Sequence, residues 1–322
     1  MFFNLQLLRA FAALNVVLFH IIGTAASYGY ETNLISFLEG WGANGVDIFF
    51  VISGFIMLHT QLNNKRTIKD FLILRAIRII PIYWLLTLSV IVINIIAPSA
   101  FRDMVISTEW ALASLGFMSN VVGENFPIIH VGWTLEWEIL FYLVFGISLW
   151  FRSWVVVLLL TFIVLIGISL SVSNFILFEF LAGLLIALFY NFFGFNRFGK
   201  VSLVLGGLLL SLSLLEQVRT LVESHVIFWG LPSIFLVYGV VTTPQVNTKI
   251  GRLLGDASYS IYLIQIFSIP VFYKLIVFLD FDFSSDFLAI ICLLTTAICG
   301  TVMYIFIEKP ITYLIKTLVY SK

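Results

Sequence analysis

The sequence predicts an all-α, polytopic transmembrane helical bundle, and three observations carry that prediction. Hydrophobic residues make up 61% of the 322-residue chain and charged residues only 11%, with a mean hydropathy of +1.10. Apolar runs recur along the chain at roughly the 20 residues a helix needs to cross a bilayer. The charges gather between those runs and segregate by side. A water-soluble globule is excluded by this composition, and a formal net charge of zero gives no reason to expect a nucleic-acid partner.

About ten spans are read, approximately 5 to 23, 44 to 60, 72 to 97, 133 to 151, 154 to 172, 174 to 192, 201 to 216, 226 to 242, 259 to 279 and 286 to 307. With that count, Lys65, Arg66, Lys69, Arg75, Arg78, Arg152, Arg197, Lys200, Lys249, Arg252, Lys309, Lys316 and Lys322 fall on one side. The other side receives Arg102 and Arg219 among acids: Glu31, Glu39, Asp103, Glu109, Glu124, Glu216, Glu223, Asp280, Asp282 and Asp286. The positive-inside rule then places both termini in the cytoplasm. Residues 1–322 read as a single integral-membrane domain with no soluble appended domain.

The first span carries Arg9 and His20, eleven positions apart on nearly one helical face and about 16 Å apart along the axis. Ionisable groups at that depth face a cavity or a partner, and they mark a site by default. Together with Asn15 they interrupt the apolar run, so the segment reads as a retained helix rather than a cleaved signal peptide. The second span, Trp41 to His59, places Gly42, Gly45 and Gly54 for close helix packing and Asp47 near its outer end, where it serves as a cap or as a site residue. In the third, Arg75 and Arg78 are neighbours on one face. Guanidinium forks suit phosphate, though arginines at a cytoplasmic helix end also snorkel to headgroups. Pro81 breaks the hydrogen-bond ladder of this helix and bends it.

The long outer stretch 98 to 132 contains Ala111 to Val122, apolar enough to re-enter the membrane. The fourth span opens on Gly132 to Tyr142, in which Glu136 and Glu138 point to different faces, one toward water or a cap and the other into the bundle. Toward the end, Asp256 and Ser258 look like helix-start residues, and Tyr259, Tyr262 and Gln265 form a polar stripe. Cys292 and Cys299 read as buried apolar residues in one span. His59, His130 and His225 have no evident partner in the sequence. With no HExxH or CxxC pattern, no metal site is expected.

Taken together, these segments resemble the acyltransferase-3 family of integral-membrane acyltransferases. The resemblance rests on Arg9 and His20, on Gly45 to Phe55 (GVDIFFVISGF), on Arg75 and Arg78 with Pro81-Ile82-Tyr83-Trp84, on Trp133-Thr134-Leu135 with Glu138 and Phe141-Tyr142, on Ser258 to Leu263 (SYSIYL), and on Glu308-Lys309-Pro310. These six motifs stand in the family's order and cover residues 5 to 310. The second is most similar to members that O-acetylate bacterial exopolysaccharide or lipopolysaccharide O-antigen.

The resemblance implies transfer of acetyl from cytoplasmic acetyl-CoA, as acyl-donor substrate, to a hydroxyl of a glycan or lipid-linked glycan outside the bacterial cytoplasmic (inner) membrane. It implies His20 as the catalytic histidine with Arg9 and Glu138 beside it in the chemistry. Arg75, Arg78 and Tyr83 would contact the coenzyme, and Asp47, Trp133, Tyr259 and Gln265 the substrate. The family often has histidine where this chain has Gln265, and glutamine cannot exchange a proton. The expected mechanism uses His20 as general base with a carboxylate such as Glu138 orienting it, or else an acetyl-histidine intermediate. A multi-pass transporter or flippase is the alternative, and it predicts a repeated hydropathy pattern that this chain does not display.

Overall fold

The computed structural model describes residues 2–101, 104–151, 153–194, 198–215, 218, 225–280 and 283–321. The charges at Arg102, Asp103, Arg152, Arg197, Glu216, Arg219, Glu223, Asp282 and Lys322, which entered the topology reading, lie outside the described residues. Among the described residues the chain is helical throughout, without strands. The helices are α1 Phe3–Ala26, α2 Asn44–Asn63, α3 Ile68–Ile96, α4 Thr108–Leu115, α5 Trp133–Ser148, α6 Trp154–Ser171, α7 Leu177–Phe193, α8 Phe198–Leu212, α9 Leu231–Thr242, α10 Lys249–Asp256, α11 Ser258–Leu279, α12 Ser285–Met303 and α13 Lys309–Tyr320. π-helical turns at Val226–Gly230 and Tyr304–Glu308 lead into α9 and α13.

Each expected span coincides with a helix. Among the described residues seven helical segments are long and apolar enough to cross a membrane, and Leu177–Phe193, Phe198–Leu212 and Val226–Thr242 are shorter apolar helices. The re-entrant expectation for Ala111 to Val122 resolves into a short helix docked on α3. Tyr83 donates to the Ser114 carbonyl at 3.0 Å and Trp84 to the Leu115 carbonyl at 2.9 Å.

Glycines set how closely the central helices approach. A Cβ on Gly45 would run into the Ala12 carbonyl of α1, while Gly54 and Gly183 meet where α2 crosses α7. Such small-residue contacts replace the hydrophobic drive that lipid removes. Asn15 of α1 donates to the Asn44 side chain at 3.0 Å, fastening the same helix pair near one end. At the other end Asn4 bonds the Pro244 carbonyl and the Val246 amide. α1 therefore runs through the middle of the bundle, contacting α2, α9, α10, α11 and α12. The polar residues it carries are consequently directed at protein rather than lipid.

Candidate active site

Two adjoining cavities occupy the bundle, and Arg9 and Arg78 line both. The first, a vestibule of about 880 Å³, is also lined by Arg66, Arg75, Lys316, Asp256 and Glu308. Five basic groups against two acids leave it formally at +3, a field that attracts anions. The second is walled by Phe49, Phe50 and Met57 and carries polar groups from Ser53, Thr134, Glu138, Ser258, Tyr259 and Tyr262. The α2 wall follows from helical periodicity: Val46, Phe49, Phe50, Ser53 and Met57 fall on one face.

Arg9 sits where the cavities meet, donating to Gln6 at 2.9 Å and to the Ser258 hydroxyl at 2.9 Å. The Arg75 guanidinium lies 5.9 Å from the ring centres of both Phe71 and Tyr142, and its buried Nε has no hydrogen-bond partner among the described residues. Stacked arginine keeps its outer donors free for a planar or phosphate ligand. Glu138 accepts from the Ser53 hydroxyl at 2.6 Å and from the Tyr142 hydroxyl. Glu308, at the π-helical turn, accepts from Ser260.

Two residues of the inner cavity's lining, Thr134 and Tyr262, join Val131 in a hydrogen-bonded knot. The Tyr262 hydroxyl donates to the Val131 carbonyl at 2.7 Å and lies 2.8 Å from the Thr134 hydroxyl, while Thr134 also reaches the Val131 carbonyl. Val131 follows His130, and the His130 ring stands edge-on to His20 at 5.7 Å between centres. His20 lines neither cavity; it reaches the knot's strand of chain only through His130, and its ring also lies against Phe19. Arg9 is about 16 Å away along the same helix.

Several expectations change. Glu138 does not orient His20, because its carboxylate is committed to Ser53 and Tyr142. Arg9 is too far from His20 to stabilise charge developing there. Tyr83 lines neither cavity: its ring is fully buried against Phe117 and its hydroxyl caps the α4 segment. Asp47 is also fully buried and lies one position off the cavity stripe. Its oxygen is 3.2 Å from His225 Nδ1. Trp133 lines a separate recess with Asn174 and His225. Gln265 is buried outside the cavity wall, donating to the Tyr262 carbonyl at 2.7 Å, and its Oε1 has no partner among the described residues. Tyr259 does line the cavity, with its hydroxyl held by the Ile79 carbonyl at 2.8 Å. The two glutamates divide as expected, for Glu136 accepts from the Ser119 amide at 3.0 Å and from Asn120 at 3.2 Å.

None of the three histidines without an evident partner stands alone. His130 meets His20, His225 meets Asp47 and Glu179, and His59 stacks on Phe55 at 5.3 Å. Ser53, Ser258 and His130 stand outside the expected site residues, because isolated hydroxyls and a lone histidine carry no periodic signal.

Residues 2–306 match the family described as Acyltransferase domain. Over 294 residues the chain is 35% identical to the exopolysaccharide production protein ExoZ of Rhizobium meliloti (strain 1021), covering 84% of this chain and 89% of that protein. No solved structure matches.

Proposed function

The chain belongs to the acyltransferase-3 family, and from that premise we propose an O-acetyltransferase that carries acetyl from cytoplasmic acetyl-CoA to a hydroxyl of an exopolysaccharide outside the inner membrane. The observation that supports this most is that Arg9 and Arg78 line both the cationic vestibule and the adjoining inner cavity. A coenzyme-A thioester has that shape: a polyanionic head on a long, thin, mostly uncharged arm. The head sits against Arg75, Arg78, Arg66 and Lys316, with the arm running past Arg9 toward Ser53, Thr134 and Tyr262. The same reading takes the chain as one ten-span domain with both termini cytoplasmic, so that the vestibule opens to the coenzyme pool.

The acceptor reaches His20 from the opposite end. His20 takes the proton of the glycan hydroxyl as its oxygen attacks the thioester carbonyl. A C–O ester bond forms, the C–S bond breaks, and the imidazolium returns the proton to the leaving coenzyme-A thiolate. For carbonyl and histidine to meet, the bonds joining Tyr262, Thr134 and Val131 must part. Closed, they keep water on the His20 side from the thioester. Arg9 and Glu138 belong to donor binding in this scheme, not to proton transfer.

The test is NMR and mass spectrometry of exopolysaccharide from a gene deletion, the complemented strain and a strain carrying His20→Ala. O-acetyl esters in the complemented strain alone support the reading. An identical acetyl pattern in all three overturns it.

A further inference from the structure

Apart from the cavities, three polar side chains from three distant parts of the chain converge at the end of the bundle opposite the arginine vestibule. Asp47 comes from the first turn of α2, Glu179 from the first turn of α7, and His225 from the residue preceding the π-helical turn before α9. One ligating atom of each lies within 4.8 Å of the other two. His225 Nδ1 is 3.2 Å from Asp47 Oδ1 and 3.9 Å from Glu179 Oε1.

From this juxtaposition we propose a divalent-cation site, of the Zn²⁺ or Mn²⁺ class, built by Asp47, Glu179 and His225. Both carboxylates are fully buried, and among the described residues none of their four oxygens has a hydrogen-bond partner. Uncompensated carboxylates are too costly to bury, so they pair or coordinate a metal. Two carboxylates, a neutral imidazole and one divalent cation sum to zero charge. The oxygen–nitrogen donor set suits these metals. Bonds of about 2.1 Å in a tetrahedron put neighbouring ligand atoms about 3.4 Å apart, between the two separations given for His225. The imidazole side chain is 45% exposed. It borders a recess of about 970 Å³ that Trp133 and Asn174 also line. That recess gives the ion a way in and leaves a coordination position for water or a sugar hydroxyl. A bound cation would pin the ends of α2, α7 and the turn before α9 together.

The experiment uses the full-length protein, tag removed, in detergent micelles. Metal content is measured after dialysis, and thermal unfolding is followed after chelation with and without added Zn²⁺ or Mn²⁺. The expected result is about one equivalent bound per chain and a saturable rise in unfolding temperature. Affinity should fall by more than about 100-fold in Glu179→Gln and in His225→Ala, since even outer-shell partners contribute about 10- to 100-fold. Should those variants misfold, X-ray absorption of the Zn²⁺-loaded native chain decides instead. One imidazole with oxygen ligands supports the site, whereas sulfur or several imidazoles overturns it. No retained metal and no thermal shift with either ion also overturns it, leaving an acid pair that shares a proton. Equal binding by the native chain and a folded Glu179→Gln variant does the same.

Discussion

Replacing Arg78 with alanine separates coenzyme recognition from chemistry. Arg78 lines the vestibule and the inner cavity together, so it faces both the phosphates and the start of the pantetheine arm in the proposed complex. A hydrogen bond to a charged group contributes about 1.5–3 kcal/mol. At about 1.4 kcal/mol per decade, its loss should raise KM for acetyl-CoA by about 10- to 150-fold. Glu138 keeps its Ser53 and Tyr142 donors in the variant, which protects the local fold. The proton transfer is at His20, which lines neither cavity, so kcat should stay within about 3-fold of the native value. Lysine at the same position restores charge without the fork and should recover part of the loss. The assay is radiolabel transfer from acetyl-CoA to polysaccharide in washed membranes, with donor concentration varied. An unchanged KM for Arg78→Ala, or a fall in kcat alone, would refute the donor-vestibule reasoning and leave the arginine a lipid-snorkelling residue.

The remaining predictions probe other parts of the bundle. Glu136→Gln should weaken the cap on Ser119 and Asn120, costing about 1–3 kcal/mol of stability in thermal unfolding with KM unaltered. Glu138→Gln should instead disturb acetyl-CoA binding, and equal effects of the two changes on KM would contradict the assignment of faces. Gly183→Leu drives a side chain into the Val51 carbonyl at the α2–α7 crossing; fluorescence-detected size exclusion should show aggregation, and a monodisperse peak of native yield would count against that packing. Tyr262→Phe removes the bonds to Val131 and Thr134. If the knot excludes water, hydrolysis of acetyl-CoA without acceptor should rise in that variant; no rise would remove the shielding role.

Much of this arrangement was legible because arginine is so costly in an apolar run. Arg9, Arg75 and Arg78 stood out for that reason, and they do gather around shared cavities. The two-residue spacing of Glu136 and Glu138 likewise foretold opposite faces. What periodicity cannot convey is depth and long-range pairing. Glu138 is five residues inside α5, about 8 Å beyond its start, which carries it past the level of His130 and His20. Tyr83 shared a motif with the arginines yet turns its hydroxyl to Ser114, a partner visible only once α4 folds back. Asp47 was implied as a substrate residue by the Gly45 to Phe55 motif, whose Val46, Phe49, Phe50 and Ser53 do line the cavity while Asp47 does not. Its own companions, Glu179 and His225, come from helices far along the chain.

The most direct test of the central claim uses the purified protein in liposomes, with labelled acetyl-CoA supplied to one face and the glycan to the other. The account predicts esterified glycan when acetyl-CoA is on the face bearing Arg66 and Lys316, and none from the His20→Ala variant under the same conditions. Ester formation at the native rate by His20→Ala, or transfer with donor and acceptor both confined to the opposite face, would contradict it.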